Sequence, residues 1–538
     1  MTSGALRGLA IVLLVQALPA QQLLWQVPPM PPPPSTVQYF TLAPFPDYNR
    51  DRYLDYLQVV APNAFVTSQA AVQIVSGRDA SILWSIPNGG RVVHAGDIDG
   101  DGEPDIAIVK GSYTYRWVEI WSPKTNTILW QQVGGGSNNY GHAMLGDIDV
   151  NGDGRSDFLV ATSEPWSSDV FVYDSSGIQL YTVPCLSQGR QAFSLCGMGD
   201  MNADGRDDFL IGCQDPLGRG VLVLTSGLDG SVMRLSYGLA TGDLMTDHAT
   251  NLGDIDGDGV NDYAGFPHIS SWSGLCMQFS GATGNIIRYW YDFADSVIAG
   301  QDMGLDGVPD LVLGADLLVS GSVYGTTRAL SGRDGTLLWR VDNFVPPPGS
   351  GYSNGSSGWA RYAAGLGVQP GSFYPAIAWM DLEWFASNTP HGRVRTYNTA
   401  RAGQGPITGR PCSSTNQLPQ IGARQTASGA RVTIAKAPPG AVAFLNLAAA
   451  PQTTYAGLPL PIDLSSLGFI GCYLHVGPEA SAWRILGTTG IDRGYAAVDL
   501  PFGLSAAATG HTIVAQWLVL DPATLAYATT SRHQLRGP

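Results

Sequence analysis

Charge is scarce in this chain. Only 14% of its 538 residues are Asp, Glu, Lys or Arg, against 44% that are apolar, which is far too apolar and aromatic for a disordered chain. Low charge combined with 67 Gly and 36 Pro speaks for short strands and tight turns rather than long helices. The formal charge of −15 argues against nucleic acid as a partner and against anionic membrane surfaces. There is no Cys-x-x-Cys, so neither a zinc ribbon nor a thioredoxin-like site is indicated. No His-Glu-x-x-His occurs, and no Gly-rich phosphate loop follows a strand and opens a helix. The six cysteines are Cys185, Cys196, Cys213, Cys276, Cys412 and Cys472. An even count in an exported chain favours disulfides, and 185–196 and 412–472 are the pairs expected here.

Long hydrophobic runs are equally rare. The one at the N-terminus, Leu9 to Val15, is too short to span a bilayer. With Arg7 before it and Ala17-Leu18-Pro19-Ala20 after it, residues 1–20 read as a secretory signal peptide. The expectation is an exported chain without a membrane span, starting near Gln21, either secreted or held at the cell surface or in the periplasm. No Cys follows the cleavage region, which speaks against a lipid anchor. Residues 21–36, containing VPPMPPPPST from Val27 to Thr36, read as a stiff Pro-rich spacer.

Against this low-charge background, GDIDGDGEPD (Gly96 to Asp105) places five acidic side chains in ten residues. Carboxylates that close repel one another unless a cation neutralises them. The phrase recurs as GDIDVNGDGRSD (Gly146 to Asp157), GDMNADGRDD (Gly199 to Asp208) and GDIDGDGVND (Gly253 to Asp262), at the roughly fifty-residue spacing of a repeat architecture. Two weaker copies flank the series. DYNRDRYLD (Asp47 to Asp55) has Arg52 in place of a Gly, and QDMGLDGVPD (Gln301 to Asp310) has Gly304 at its third position. A last copy, GVQPGSFYPAIAW (Gly367 to Trp379), has lost its acids. A second phrase, SGRDASILW (Ser76 to Trp84) and SGRDGTLLW (Ser331 to Trp339), has relatives beginning at Ser122, Ser226 and Ser280 and reads as a turn between two strands. One unit is therefore a short strand, the acidic loop, an apolar strand, a third strand, the turn and a fourth strand, which describes a propeller blade. The fold class expected is all-β: a seven-bladed β-propeller over residues 37–404. A Greek-key sandwich is the competing layout, but it would not repeat one loop at fixed phase.

Written D-x-D-x-D-G-x-x-D, the first loop offers Asp97, Asp99, Asp101 and Asp105 at positions 1, 3, 5 and 9. Gly102 at position 6 permits the sharp turn that brings the Glu103 carbonyl inward. The second loop offers Asp149, Asn151, Asp153, Asp157 and the Arg155 carbonyl, and the third Asp200, Asn202, Asp204, Asp208 and the Arg206 carbonyl. The fourth offers Asp254, Asp256, Asp258, Asp262 and the Val260 carbonyl. Hard oxygen ligands of this number suit Ca²⁺. About four calcium sites are expected, or up to six if the degenerate loops bind through Asp302, Asp306 and Asp310 and through Asp47, Asn49, Asp51 and Asp55. An EF-hand is excluded, because its bidentate Glu at position 12 is replaced by Ile108, Val160, Ile211 and Gly265.

This pattern resembles the FG-GAP/VCBS-type repeats of integrin α-subunit propellers and of many bacterial exported proteins, over about two thirds of the chain. The resemblance implies a seven-bladed propeller with Ca²⁺ between the first two strands of several blades. The FG and GAP words are poorly kept, LVLGA (Leu311 to Ala315) being one fragment. Nothing here matches the remaining domains of an integrin, so the integrin role does not transfer.

After a linker at 405–414, within GQGPITGRPCSS, the acidic loops vanish and alternating runs such as ARVTIAKA, AVAFLNLA and HTIVAQWLVLD appear. They predict a small antiparallel β-sandwich over 415–538. PLPIDLSSLGFIGCYLHV and TIVAQWLVLDP resemble a C-terminal module of exported proteins from planctomycete-like bacteria, for which attachment, sorting and ligand binding are all open.

Evidence for catalysis is thin. GYSNG (Gly351 to Gly355) matches the serine-hydrolase word but lies in a low-complexity loop, without the strand and helix a nucleophile elbow needs. His94, His142 and His248 precede acidic loops at what reads as a shared blade position, and Trp84, Trp130 and Trp339 read as core at blade ends. Glu119, Glu164, Glu383 and Glu479 stand in unremarkable settings, and Trp359, Trp379 and Trp384 could line a sugar-binding surface. The favoured expectation is a non-enzymatic calcium-binding module for adhesion to a protein or glycan. The competing ones are a polysaccharide lyase or glycosidase on a propeller scaffold and a structural envelope component.

Overall fold

The structure, a computed structural model, describes residues 23–26, 38–61, 70–112, 115–134, 140–162, 168–185, 192–215, 219–239, 246, 248–266, 275–291, 296–319, 322–342, 363–368, 375–384, 390–398, 404–408, 412–414, 418–426, 429–450, 454–456, 458–467, 469–470, 472–500, 512–521, 524 and 526–535. The expected signal peptide at 1–20, the proline run and GYSNG lie outside the described residues. Within them the protein is all-β, built from small antiparallel sheets, with short 3-10 turns at Ser465–Leu467 and Gly490–Asp492.

Seven sheets of four strands account for the chain as far as Asn398. The second is representative, with strands Val92–Gly96, Asp105–Ser112, Tyr115–Ser122 and Thr127–Val133 paired in chain order. The apolar second and third strands are buried along most of their length. Phe209, Leu210, Val221 and Leu222 of the fourth sheet are all 0% exposed, whereas fourth strands alternate toward solvent. In each sheet with an acidic phrase, that phrase is the connection between strands one and two. The seventh sheet takes only three strands from its own stretch, and Leu23–Gln26 pairs with Pro390–Asn398 as its fourth. Part of the expected spacer is therefore a strand.

The first strands, Gln38–Phe45, Val92–Gly96, Ala143–Ile148, Ala192–Gly199, His248–Gly253, Ser296–Gln301 and Ala363–Val368, pack each against the next. Ala363–Val368 also packs against Gln38–Phe45.

A second set of contacts joins neighbouring sheets at their outer strands. Trp84, Trp130, Tyr181, Arg234 and Arg288 occupy one register position, opposite Ile74, Ile120, Val172, Leu224 and Gln278. Each reaches the turn between strands three and four of the following sheet. Trp84 Nε1 donates to Asn126 Oδ1 at 3.3 Å, and the Tyr181 hydroxyl donates to the Gly227 carbonyl. Arg234 donates to the carbonyls of Gly281 and Ala282, and Arg288 to those of Gly332 and Arg333. Trp130 lies so close over Gly177 that a Cβ there would fall 2.1 Å from its ring. Of the tryptophans expected as core, Trp84 and Trp130 are thus connectors between sheets, whereas Trp339 is buried in a core cluster with Met303, Val312 and Ile377.

Beyond Asn398 a seven-stranded and a three-stranded sheet share one hydrophobic cluster, with Leu445, Trp517 and Val519 from the first and Ile421, Val432 and Ile434 from the second. Trp517 is fully buried and its Nε1 donates across the gap to the Thr433 carbonyl at 3.0 Å. The stretch expected as a linker contributes Gln404–Thr408 and Cys412–Ser413 to the seven-stranded sheet. Cys412 and Cys472 form a disulfide, as expected. The 185–196 pair does not form: Cys185 and Cys213 instead lie beside one another as thiols in one buried cluster.

Removing a connector should loosen two sheets at once. Trp130 also packs on Phe158 and Tyr173 at ring distances of 4.8 and 5.0 Å. Trp130→Ala should destabilise the protein by about 3 kcal/mol, the low end for a large aromatic truncation, read as a lower denaturation midpoint in guanidinium.

Candidate metal centres

Six acidic loops share one hydrogen-bond pattern. At position 1, both carboxylate oxygens accept backbone N–H groups from positions 5 and 6, as Asp97 does from Asp101 and Gly102 at 3.0 and 2.9 Å. Asp149, Asp200, Asp254, Asp302 and Asp47 repeat this. Position 5 accepts the N–H of position 7, so that Glu103, Arg155, Arg206 and Val260 bond through their amides to Asp101, Asp153, Asp204 and Asp258. Asp99, Asn151, Asn202 and Asp256 at position 3 accept the N–H of position 5. Tyr53 and Val308 complete the pattern in the degenerate loops.

This winding demands left-handed backbone at two positions. Position 6 has φ of 81° at Gly102 and 74° at Arg52, and position 4 has φ of 76° at Gly100 and 52° at Leu305. Glycine reaches these values without penalty. Position 4 was not singled out in the sequence, although Gly stands there in three of the loops (Gly100, Gly152 and Gly257).

Position 9 has a role the sequence reading missed. Asp55, Asp105, Asp157, Asp208, Asp262 and Asp310 open the second strands and are at most 1% exposed. One oxygen accepts an N–H from its own loop, as with Ile98 to Asp105 at 2.9 Å, Met201 to Asp208 at 2.8 Å and Gly304 to Asp310 at 2.7 Å. The other accepts the N–H of Gly77, Ser175, Gly227, Gly281 or Gly332, in the turn between strands three and four. The second sheet has Pro123 there, which has no N–H, and Asp105 Oδ1 is left buried without a hydrogen-bond partner. Burial pushes Asp105 and Asp157 up to about 7 and Asp55 and Asp262 up to about 6, and raises Asp208.

Two groups converge enough to hold a cation. Oxygens of Asp97, Asp99 and Asp101, and of Asp254, Asp256 and Asp262, lie within 4.8 Å of one another. Ligands at the 2.3–2.6 Å of a Ca²⁺–oxygen bond stand no farther apart than about 5 Å, so both carboxylate sets fit that ion. A tethered cation already touches the first: Lys124 Nζ is 3.2 Å from Asp101 Oδ2. Arg50 pairs with Glu103. The remaining loops have Asn49, Asn151, Asn202 or Gly304 at position 3, and no three of their carboxylates converge in this way among the described residues.

The loops also touch in series. Asp207 exchanges bonds with Asp149 at 2.8 and 3.0 Å, Asn261 donates to the Met198 carbonyl at 3.0 Å, and Pro309 abuts Gly253. They form one row along a single edge of the sheets. Residues 149–211 match the FG-GAP-like repeat family. The match spans the second loop, the third loop and the strands between them. No curated protein matches. Among solved structures, the crystal structure of rhamnogalacturonan lyase YesW is 12% identical with a TM-score of 0.40, covering 71% of this chain and 76% of that one. The Bacillus licheniformis rhamnogalacturonan lyase PL11 is 13% identical with a TM-score of 0.39, covering 69% and 75%. At these values neither likeness bears on fold or activity.

The histidines do not share a position: His94 pairs with Ile106, one residue past Asp105, and His248 with Phe266, four past Asp262. Burial lowers His94, and burial with Arg91 and Arg116 lowers His142 to about 4. Glu119 is a buried partner of Lys110 at 2.9 Å that also accepts from Trp117 and Trp121. Side chains at Trp359, Trp379 and Trp384 lie outside the described residues.

Two measurements separate the clamp from the ligands. In chelator, Asp208→Ala should cost about 3 kcal/mol, because it removes a buried carboxylate with bonds at both ends. Asp204→Ala, on an exposed side chain, should cost under about 1 kcal/mol there. Stability without metal should also fall as pH rises from about 4 to 7. In that window the native clamp carboxylates hold protons that the unfolded chain, with Asp near 3.8, has already released. Urea midpoints across that range in EDTA would show the slope, and a rising midpoint would contradict it.

Proposed function

We propose that this chain is an exported, calcium-stabilised β-propeller with a C-terminal β-sandwich, acting as a binding or adhesion module for a protein or glycan. The observation that carries the reading is the acidic loop itself, which repeats the same position 1 and position 5 hydrogen bonds six times and carries a full oxygen set in four copies. In this reading Asp97, Asp99, Asp101, Asp149, Asn151, Asp153, Asp200, Asn202, Asp204, Asp254, Asp256 and Asp258 hold four Ca²⁺ ions, with the position 7 carbonyls and the buried position 9 carboxylates completing the shells. Bound calcium supplies the charge compensation that the crowded carboxylates lack.

The seven-bladed closure is supported by the cyclic order of first-strand contacts and by the N-terminal strand that completes the seventh sheet. A ring closed by both ends of its chain removes two free sheet edges, each a liability for unwanted pairing. The sandwich reading is supported by the core that the last two sheets share. Export is supported by the N-terminal sequence and by the disulfide between Cys412 and Cys472. No helix among the described residues is long and apolar enough to cross a membrane.

Each independent site would stabilise the fold by RT ln(1 + [L]/Kd), about 4 kcal/mol at a thousandfold excess over Kd. Elemental analysis of the mature chain should therefore find four Ca²⁺, and EDTA should lower the melting temperature by well over ten degrees. No bound metal and no shift would overturn the calcium reading. Turnover in prolonged digestion screens on acidic and neutral glycans would overturn the non-enzymatic one.

A further inference from the structure

The row of acidic loops ends against the C-terminal part of the chain. The 3-10 turn Gly490–Asp492 sits between the fourth and fifth loops. Gly257, at position 4 of the fourth loop, approaches it so closely that a Cβ would fall 1.9 Å from the Ile491 nitrogen. The Ile491 side chain packs against the buried cluster that contains Leu252, Ile255 and Val308, of which Ile255 is position 2 of that same loop. The corresponding glycines of the first two loops, Gly100 and Gly152, face Arg155 and Arg206 of their neighbours instead.

The fifth loop meets the same turn through a side chain. Arg333 is only 11% exposed, donating to Asp492 Oδ1 and the Ile491 carbonyl, both at 2.7 Å, and to the Asp306 carbonyl at 3.1 Å. Its guanidinium lies 3.5 Å over the Tyr495 ring and 3.8 Å from Asp306 Oδ2. Lys436 lines a cavity of about 280 Å³ together with Asp306, Arg333 and Tyr495. Covered in this way, Asp306 is 7% exposed where Asp204 of the third loop is open to solvent. The fifth loop thus has protein-borne cations at the face where the third is open.

We infer that the fourth acidic loop is a calcium-dependent docking site for the Gly490–Asp492 turn, so that metal at Asp254, Asp256, Asp258 and Asp262 locks the C-terminal region onto the repeats, while Arg333 holds the fifth loop to the same turn without metal. This rests on the calcium reading above. The physical basis is linkage. Residues 255 and 257 alternate with the ligands, so ordering the ligands orders the surface on which Ile491 sits. Coupling of this kind is reciprocal and commonly worth 5- to 150-fold in affinity. Docking must then tighten the fourth calcium site as much as calcium tightens docking.

The test uses the full mature chain with Ca²⁺ alone as the probe. Hydrogen exchange over residues 488–495 is followed beside bound-metal content for the wild type, Asp256→Asn with Asp258→Asn, and Asp99→Asn with Asp101→Asn. Each double variant should lose one ion. Exchange over 488–495 should accelerate at least fivefold only in the fourth-loop variant. Conversely, Ile491→Ala, on a side chain that ligates nothing, should weaken one calcium site at least fivefold in a calorimetric titration and leave the rest unchanged. Loss of the ion without faster exchange, or equal acceleration in both variants, would overturn the docking inference while leaving calcium binding intact. A wild type that binds no calcium would remove both.

Discussion

The structure depends on a buried aspartate at the start of the second strand in six of the seven repeat sheets. Such a carboxylate is expensive to take out of water unless every lone pair meets a donor. Here the donors come from two places in the same sheet, the acidic loop on one side and the turn between strands three and four on the other. The bond pair fixes where the loop begins and holds the turn against it. Gly227 shows how tight the joint is, since a Cβ there would stand 2.0 Å from the Asp207 carbonyl in the loop. The second sheet breaks the rule with Pro123 and leaves one oxygen of Asp105 without a partner, so the joint tolerates the loss of one bond.

That same turn receives the connector from the sheet before. Gly227 donates its N–H to Asp208 and accepts the Tyr181 hydroxyl on its carbonyl, so one residue couples loop, turn and neighbouring sheet. Order imposed on a loop therefore has a short path to the next sheet. The loops add a second path, because position 8 of one touches the start of the one before. A cation that fixes one loop acts on a continuous row rather than on an isolated turn, and the C-terminal turn at Gly490–Asp492 is seated at the end of that row.

Much of this was legible because the repeat is written in chemistry with few alternatives. Acids at alternate positions, glycine at the sharp turn and an apolar strand after it identify the loop, the strands and their order within each sheet. The position 9 aspartate was legible as a ligand but not as a clamp, since its second partner lies 19 residues away at Gly227 and 22 away at Gly332. Trp84 and Trp130 were read as core rather than as connectors for a similar reason. Trp84, Tyr181 and Arg234 are different residue types that share a hydrogen-bond donor and a register position, which pairing reveals and composition hides. The misplaced disulfide has the same origin: Cys185 and Cys196 are close in sequence, whereas Cys213 is brought beside Cys185 by the packing of one sheet on the next.

The sequence by itself determined the local unit: a four-stranded sheet whose first connection is wound around carboxylates. Backbone conformation, side-chain period and ligand chemistry all act over fewer than ten residues there, so spacing alone carries them. Tertiary structure decided what the units do to one another. It drew Leu23–Gln26 into the last sheet, turned an apparent linker into strands, and set Arg333 and Gly257 against the turn at Gly490–Asp492. Those pairings span more than a hundred residues, and no local pattern records them. They follow from which faces remain apolar or charged once each sheet has formed.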